Sequence, residues 1–139
     1  MKLSILTSAL FAVLLSVVSV DAQTKTYIAV MNAAQTASSC PTSIAIGNAV
    51  LTLAGTKLCM RLAYGKLSAT ETSSTLSSGA IGVAGTTIKA LSSTAQKLDC
   101  ITLTSAQVSD LALGKYYVQI NTAACPKGEI RGQILLVDL

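Results

Sequence analysis

The eight residues "KLCMRLAY", Lys57 to Tyr64, alternate strictly, with Leu58, Met60, Leu62 and Tyr64 on one side of an extended chain and Lys57, Cys59, Arg61 and Ala63 on the other. Successive side chains of a β-strand point to opposite faces, so this period predicts a strand with one buried and one open face, as in antiparallel sheets. The same period recurs along most of the chain. "TKTYIAVMNA" sets Tyr27, Ala29 and Met31 against Ile28 and Val30, and the run from Ile44 to Leu67 reads as a hairpin turning at Ala54-Gly55-Thr56. "KLDCITLTS" is a further strand. In "KYYVQINT", Tyr116, Val118 and Ile120 oppose Tyr117, Gln119 and Asn121; in "EIRGQILLVDL", Ile130, Ile134 and Leu136 oppose Glu129, Arg131, Gln133 and Leu135.

Two stretches depart from this pattern. "SAQVSDLALG" reads as a short helical turn stopped by Gly114, and "SATETSSTLSSGAIGVAGTTIKAL" is low in complexity, with short strands expected near Thr75 to Ile81 and Thr86 to Leu91. The expected fold is all-β: an antiparallel Greek-key sandwich or barrel of seven to eight short strands.

Residues 1–22 are set apart from that fold. Lys2 followed by "LSILTSALFAVLLSVVSV" has the form of a secretory signal peptide, and "VDA" before Gln23 offers small residues where cleavage after Ala22 requires them. An uncleaved anchor is the alternative, since the apolar run could just span a bilayer. With cleavage, the expected product is secreted, extracellular and without a membrane span. The 117 residues from Gln23 to Leu139 suffice for one domain with a modest core.

Chemistry is bounded by what the chain contains. It has no histidine, which removes Ser-His-Asp and Cys-His nucleophile pairs, imidazole metal sites and histidine bases together. Four cysteines, Cys40, Cys59, Cys100 and Cys125, are spaced by 19, 41 and 25 residues with no CxxC pair, a pattern for two disulfides rather than a zinc site. No cofactor is expected. Setting Lys2 and Asp21 aside from ten basic and six acidic residues leaves nine and five, a net +4. The lysines are scattered, so weak attraction to polyanionic surfaces is expected and nucleic-acid recognition is not. A hydrolase would have to work with carboxylates such as Glu71, Asp99, Asp110 and Glu129, and the strand pattern aims no two of them into one cleft. No enzyme is expected.

"CPKGEIRGQ", Cys125 to Gln133, stands out because a chain poor in charge places Glu129 and Arg131 two positions apart behind a Pro-Lys-Gly turn. Period two sets both on one outward face, about 7 Å apart, where they can pair as a surface ion pair or form a recognition site. Gly132, facing the core beside them, suggests close approach of another backbone and burial of the guanidinium stem. Arg131 is then expected to donate to backbone carbonyls of a neighbouring loop as well as to Glu129.

At these residues the chain resembles the CHRD domain, the module repeated in chordin and found alone in secreted microbial proteins. The specific segment is "GKYYVQINTAACPKGEIRGQI", whose signature positions here are Tyr117, Pro126, Gly128, Glu129, Arg131, Gly132 and Gln133. "CPTSIAIGNAVLTL", "RLAYGKL" and "TSSTLSSGAIG" fit the same register more weakly. The resemblance implies a Greek-key-like domain over residues 23–139, without established catalytic activity, used in extracellular binding and, in chordin, associated with sequestering growth factors. Family members usually carry two histidines where this chain has Thr75 and Ser77, a third at Asn121, and often a fourth at Cys125.

A cysteine in a hairpin turn can staple that turn to another loop. Counting strands up and down through eight puts the Cys40 loop and the Cys125 turn at one end, and Cys59 and Cys100 on outward faces nearer the other. Of the three connectivities, Cys40–Cys125 with Cys59–Cys100 is therefore favoured. The leading functional expectation is a secreted binding or structural domain at a cell surface, wall or matrix, its partner an extracellular protein or polysaccharide. An effector or signalling antagonist is the alternative within that class. The Ser/Thr-rich stretch from Ser68 to Ser78 reads as a solvated loop, or as a candidate binding loop carrying Thr72, Ser74, Thr75 and Ser77.

Overall fold

The computed structural model describes residues 23–38 and 40–137; the expected signal peptide, residues 1–22, lies outside them. Nine strands are present among these residues: β1 (Lys25–Asn32), β2 (Ile46–Ala54), β3 (Lys57–Gly65), β4 (Glu71–Ser78), β5 (Thr86–Ala90), β6 (Gln96–Thr102), β7 (Tyr116–Thr122), β8 (Ile130–Gln133) and β9 (Leu135–Leu136). A 3-10 turn (Ala33–Gln35) follows β1, and one α-helix, α1 (Ser105–Ala112), separates β6 from β7.

Eight strands lie in the order β5-β4-β7-β8-β1-β2-β3-β6, with β9 paired to β1, and each pairing is antiparallel. The two ends of the sheet, β5 and β6, are consecutive in the chain. A short loop joins them, so the sheet curls into a nearly closed barrel and the expected all-β class holds.

The register follows from the alternation. Tyr27, Ala29 and Met31 of β1, Ala49, Leu51 and Leu53 of β2, and Leu58, Met60 and Leu62 of β3 are buried, and they pack with Leu76, Tyr116, Val118, Ile120, Ile130 and Ile134 in one core. The hairpin turn sits at Gly55, in the left-handed region at φ +61°, where a residue without Cβ carries no steric penalty. Helix α1 is one full element rather than a turn. Thr104 caps it, accepting from Gln107 N while Gln107 Oε1 accepts from Thr104 N, which satisfies two of the amides that a helix start leaves open. Gly114 ends it at φ +70°.

Three expectations need correction. The Ser/Thr-rich stretch is a loop only before Glu71, because Glu71–Ser78 forms β4, hydrogen-bonded between β5 and β7; the strand expected near Thr75 to Ile81 starts and ends earlier. Ser74 and Ser77 are buried, and of the four candidate loop residues only Thr72 is exposed. Small hydroxyl side chains fit where two ladders crowd the strand, and such a strand carries little apolar signal. The final strand is not continuous. β8 pairs along its length with β7 and meets β1 at Asn32–Arg131, whereas β9 pairs with β1 alone among the described residues; the break falls at Ile134, whose amide donates to Tyr116 O, and Leu136 is exposed. Glu129, expected on the outward face, is 0% exposed, whereas the expected burial of Arg131 beneath a neighbouring loop is present, at 1% exposed.

Candidate binding site

The two signature charges do not pair with each other. Glu129 lies at the barrel end where the β7–β8 turn meets the loops before β2 and β4. Its Oε1 accepts from Ser43 Oγ (2.7 Å) and Ser68 N (2.7 Å), and its Oε2 from Thr122 Oγ1 (2.7 Å). Burial alone would raise its pKa, but these donors outweigh the loss of water and hold it below the ordinary carboxylate value. A charge without an ionic partner is thus kept by three hydrogen bonds that join three segments.

Arg131 faces the other way, beneath the loop from Gly79 to Gly85. Its Nη1 donates to Val83 O (2.6 Å), its Nη2 to Ala80 O (2.5 Å) and Gln133 Oε1 (3.1 Å), and its guanidinium lies 3.4 Å over the ring of Tyr117. Tyr117 Oη accepts from Gly85 N (2.9 Å), and Gln133 Nε2 donates to Gly79 O (3.0 Å) and Gly114 O (2.7 Å). Three signature side chains therefore hold four backbone groups of one loop. The expected donation to loop carbonyls is present and the expected pairing with Glu129 is absent.

The signature glycines make room for this arrangement. A Cβ on Gly132 would stand 2.8 Å from both Met31 Cγ and Val30 O, so only glycine lets β1 and β8 approach so closely. Gly128, at φ +123°, turns the chain against the Gln119 amide. Pro126 is exposed in the turn beside it.

Both disulfides have the favoured connectivity. Cys40–Cys125 joins the loop before β2 to the β7–β8 turn, and Cys59–Cys100 links directly opposed residues of β3 and β6. The second pair has a Cα separation of 4.1 Å, the close spacing of a non-hydrogen-bonded cross-strand pair. It pins an end strand of the sheet.

A second buried charge cluster escaped the sequence reading. Lys97 on β6 points into the barrel, where Nζ meets Glu71 Oε1 (2.9 Å) and Oε2 (3.1 Å) of β4 and donates to the carbonyls of Ser92 and Thr94. Tyr64 Oη donates to Glu71 Oε2, and the ammonium sits 5.3 Å from the Tyr64 ring centroid. Burial, then the hydrogen bond and the charge of Glu71, push the Tyr64 hydroxyl far up. For Glu71, burial raises the pKa, while hydrogen bonds from Tyr64, Lys97 and Ser74 together with the Lys97 charge bring it below its ordinary value. The available signal was the parity of "KLDCI", which sets Lys97 in line with Ile101 rather than with Leu98.

On the outside of β4 and β7 three of the four positions singled out for missing imidazoles come together, Cys125 being committed to its disulfide. Thr75, Ser77 and Asn121 line one cavity of about 260 Å³ with Tyr117, Gln119 and Lys127. Asn121 Nδ2 donates to Ser73 Oγ (3.0 Å), while Gln119 Nε2 donates to Asn121 Oδ1 (2.8 Å) and Lys127 O (3.3 Å). These hydroxyls and amides can exchange hydrogen bonds with a polar ligand, and the Lys127 side chain is the cation of the lining. Thr72 faces solvent outside this cavity, and Ser74 turns toward Ser92 O (3.5 Å).

The model of the CHRD domain family matches residues 27–134. The chain belongs to the CHRD domain family. Within this CHRD domain the matched span runs from the first core tyrosine, Tyr27, to Ile134 at the β8–β9 break, and so takes in both charge clusters and the polar cavity. Comparison with curated proteins and with solved structures finds no match to the chain.

Proposed function

We propose that this CHRD domain is a secreted, non-catalytic binding or structural module that acts at a cell surface, wall or extracellular matrix. One observation carries the reading: the ionisable signature residues Glu129 and Arg131 spend their hydrogen-bonding capacity inside the fold, on Ser43, Ser68, Thr122, Ala80, Val83 and Gln133. They act as bolts, and the work of the domain falls to its outer faces and the polar cavity between β4 and β7. Two disulfides support an oxidising compartment, and the family supports extracellular binding. The partner is an extracellular protein or polysaccharide that meets the hydroxyls, amides and Lys127 of the cavity through hydrogen bonds.

The test is retention of the purified protein on extracellular protein and wall polysaccharide fractions, with the bound partner identified by mass spectrometry. Asn121→Ala and Lys127→Ala are expected to weaken retention, and Lys127→Ala, on an exposed turn, to leave the stability in urea within about 0.5 kcal/mol of the parent. Turnover of a glycosidic or ester substrate that is abolished by Glu71→Gln or Glu129→Gln in the folded protein would overturn the non-catalytic reading.

A further inference from the structure

Antiparallel sheets with one face on the core ordinarily present polar side chains on the other. The outer face of β1, β2, β3 and β6 instead carries a row of large aliphatic side chains among its polar ones. Cross-strand register sets Leu135, Ile28, Val50, Arg61 and Leu98 in one row spanning five strands, with Val30, Asn48, Ala63 and Gln96 in the next. Leu98, Val30 and Leu135 are 68%, 62% and 53% exposed, and Ile28 and Val50 are 43% and 42%. The Cys59–Cys100 disulfide borders this row on the same outward parity and keeps Leu98 in line with Arg61.

The charge on the face has one sign. Arg61 stands in the middle of the aliphatic row, and Lys57 lies on the same side of β3. β1, β2 and β3 contain no Asp or Glu, and the carboxylate of β6, Asp99, has the opposite parity from Leu98 and is engaged by Ser92 N and Oγ. Contiguous exposed aliphatic surface marks an interaction site, and cations that meet no carboxylate among the described residues of the face call for an anionic occupant.

We propose that this face docks on the surface of an anionic lipid bilayer, with Ile28, Val30, Leu98 and Leu135 entering the headgroup–acyl boundary and Arg61 and Lys57 meeting lipid phosphate or carboxylate groups. The proposal goes beyond the binding-module reading and does not rest on it. Size and shape favour a bilayer over a protein. Five strands spaced by about 4.8 Å and outward rows along roughly 20 Å give a patch of about 400 Å², half of the roughly 800 Å² per partner of a stable protein interface. A second copy would also set Arg61 against Arg61 around a two-fold axis. A convex barrel wall meets a rigid partner over little of its area, whereas a fluid bilayer conforms to each inserted side chain, and apolar burial adds to the attraction for anionic lipid.

The experiment is flotation of the protein beginning at Gln23, which retains every described strand, with vesicles of phosphatidylcholine alone or mixed with phosphatidylserine. The expected result is binding to the mixed vesicles, falling with added salt because exposed charges are screened. Val30→Ser/Leu98→Ser and Arg61→Glu are each expected to weaken it at least about tenfold, since two apolar anchors or a reversed charge are removed. Lys89→Glu, which changes net charge equally on β5, a strand that contributes no residue to the face, is the control and is expected to leave binding within about twofold. Failure to float with the mixed vesicles, or equal weakening by Lys89→Glu and Arg61→Glu, overturns the proposal. So does a concentration-dependent dimer abolished by Val30→Ser/Leu98→Ser, which would assign the face to a second copy. Loss of retention on extracellular fractions through Asn121→Ala and Lys127→Ala is read separately, so the two readings fail independently.

Discussion

Arg131 shows how a residue that looks like a recognition site becomes part of the frame. Its side chain is 1% exposed, held by Ala80 O, Val83 O and Gln133 and stacked on Tyr117. Arg131→Ala strands two loop carbonyls and empties the space over the ring. With about 1.5–3 kcal/mol for a hydrogen bond to a charged group, the expected loss is about 3 kcal/mol, read as a lower urea midpoint. Glu129 shares no partner with Arg131, so Glu129→Gln and Arg131→Ala should add to within about 0.5 kcal/mol in a double-mutant cycle. A coupling above about 1 kcal/mol would mean that the charges interact in solution.

At the scale of elements, β6 depends most on covalent chemistry. It ends the sheet, pairs only with β3 among the described residues, and is tied there by Cys59–Cys100 across a separation of 41 residues. In the chain-entropy account a loop of that length contributes about 4 kcal/mol. Cys59→Ala/Cys100→Ala is therefore expected to lower global stability by up to that amount and to raise hydrogen exchange of the β6 amides well above that of β7, which is bonded on both sides. Equal exchange in β6 and β7 would show that the Lys97–Glu71 pair alone holds the strand. β4 teaches the opposite lesson about legibility. Its sequence "ETSSTLSS" has one large apolar residue, Leu76, and is a strand because β5 and β7 supply ladders on both sides and Ser74 and Ser77 are small enough to be buried there.

At the scale of the whole molecule, acid is the expected weakness. Glu71 and Glu129 both have folded pKa values below the ordinary carboxylate value, so the unfolded chain binds protons more readily than the folded one. Their stabilisation is complete above the unfolded pKa and is lost as pH falls through the depressed folded values. Urea midpoints should therefore be flat near neutrality and drop below about pH 4.5, and Glu129→Gln should flatten part of that drop. Midpoints unchanged by acid would contradict both assignments. The protein recovered from its host's medium is expected to begin at Gln23, to show an intact mass reduced by four hydrogens, and to present no alkylatable thiol under native conditions; two or more reactive thiols would contradict the disulfide-bonded state.

Alternation along β1, β2, β3 and β7 determined the all-β class, the hairpin at Gly55 and most of the core, because the side-chain period of two is a local property of the backbone. Strand counting with cysteine parity led to both disulfides for the same reason. The segment "CPKGEIRGQ" revealed the family but not the surroundings of its charges. Whether an outward side chain meets water or a loop depends on segments far away in the chain, here Ser43, Ser68 and the Gly79–Gly85 loop around Glu129 and Arg131. The same limit hid Lys97 with Glu71, 26 residues apart in sequence and joined inside the barrel, and the meeting of Thr75, Ser77 and Asn121 in one cavity. Local periodicity decides which way a side chain points; what it meets there is decided only when the sheet curls and its ends come together.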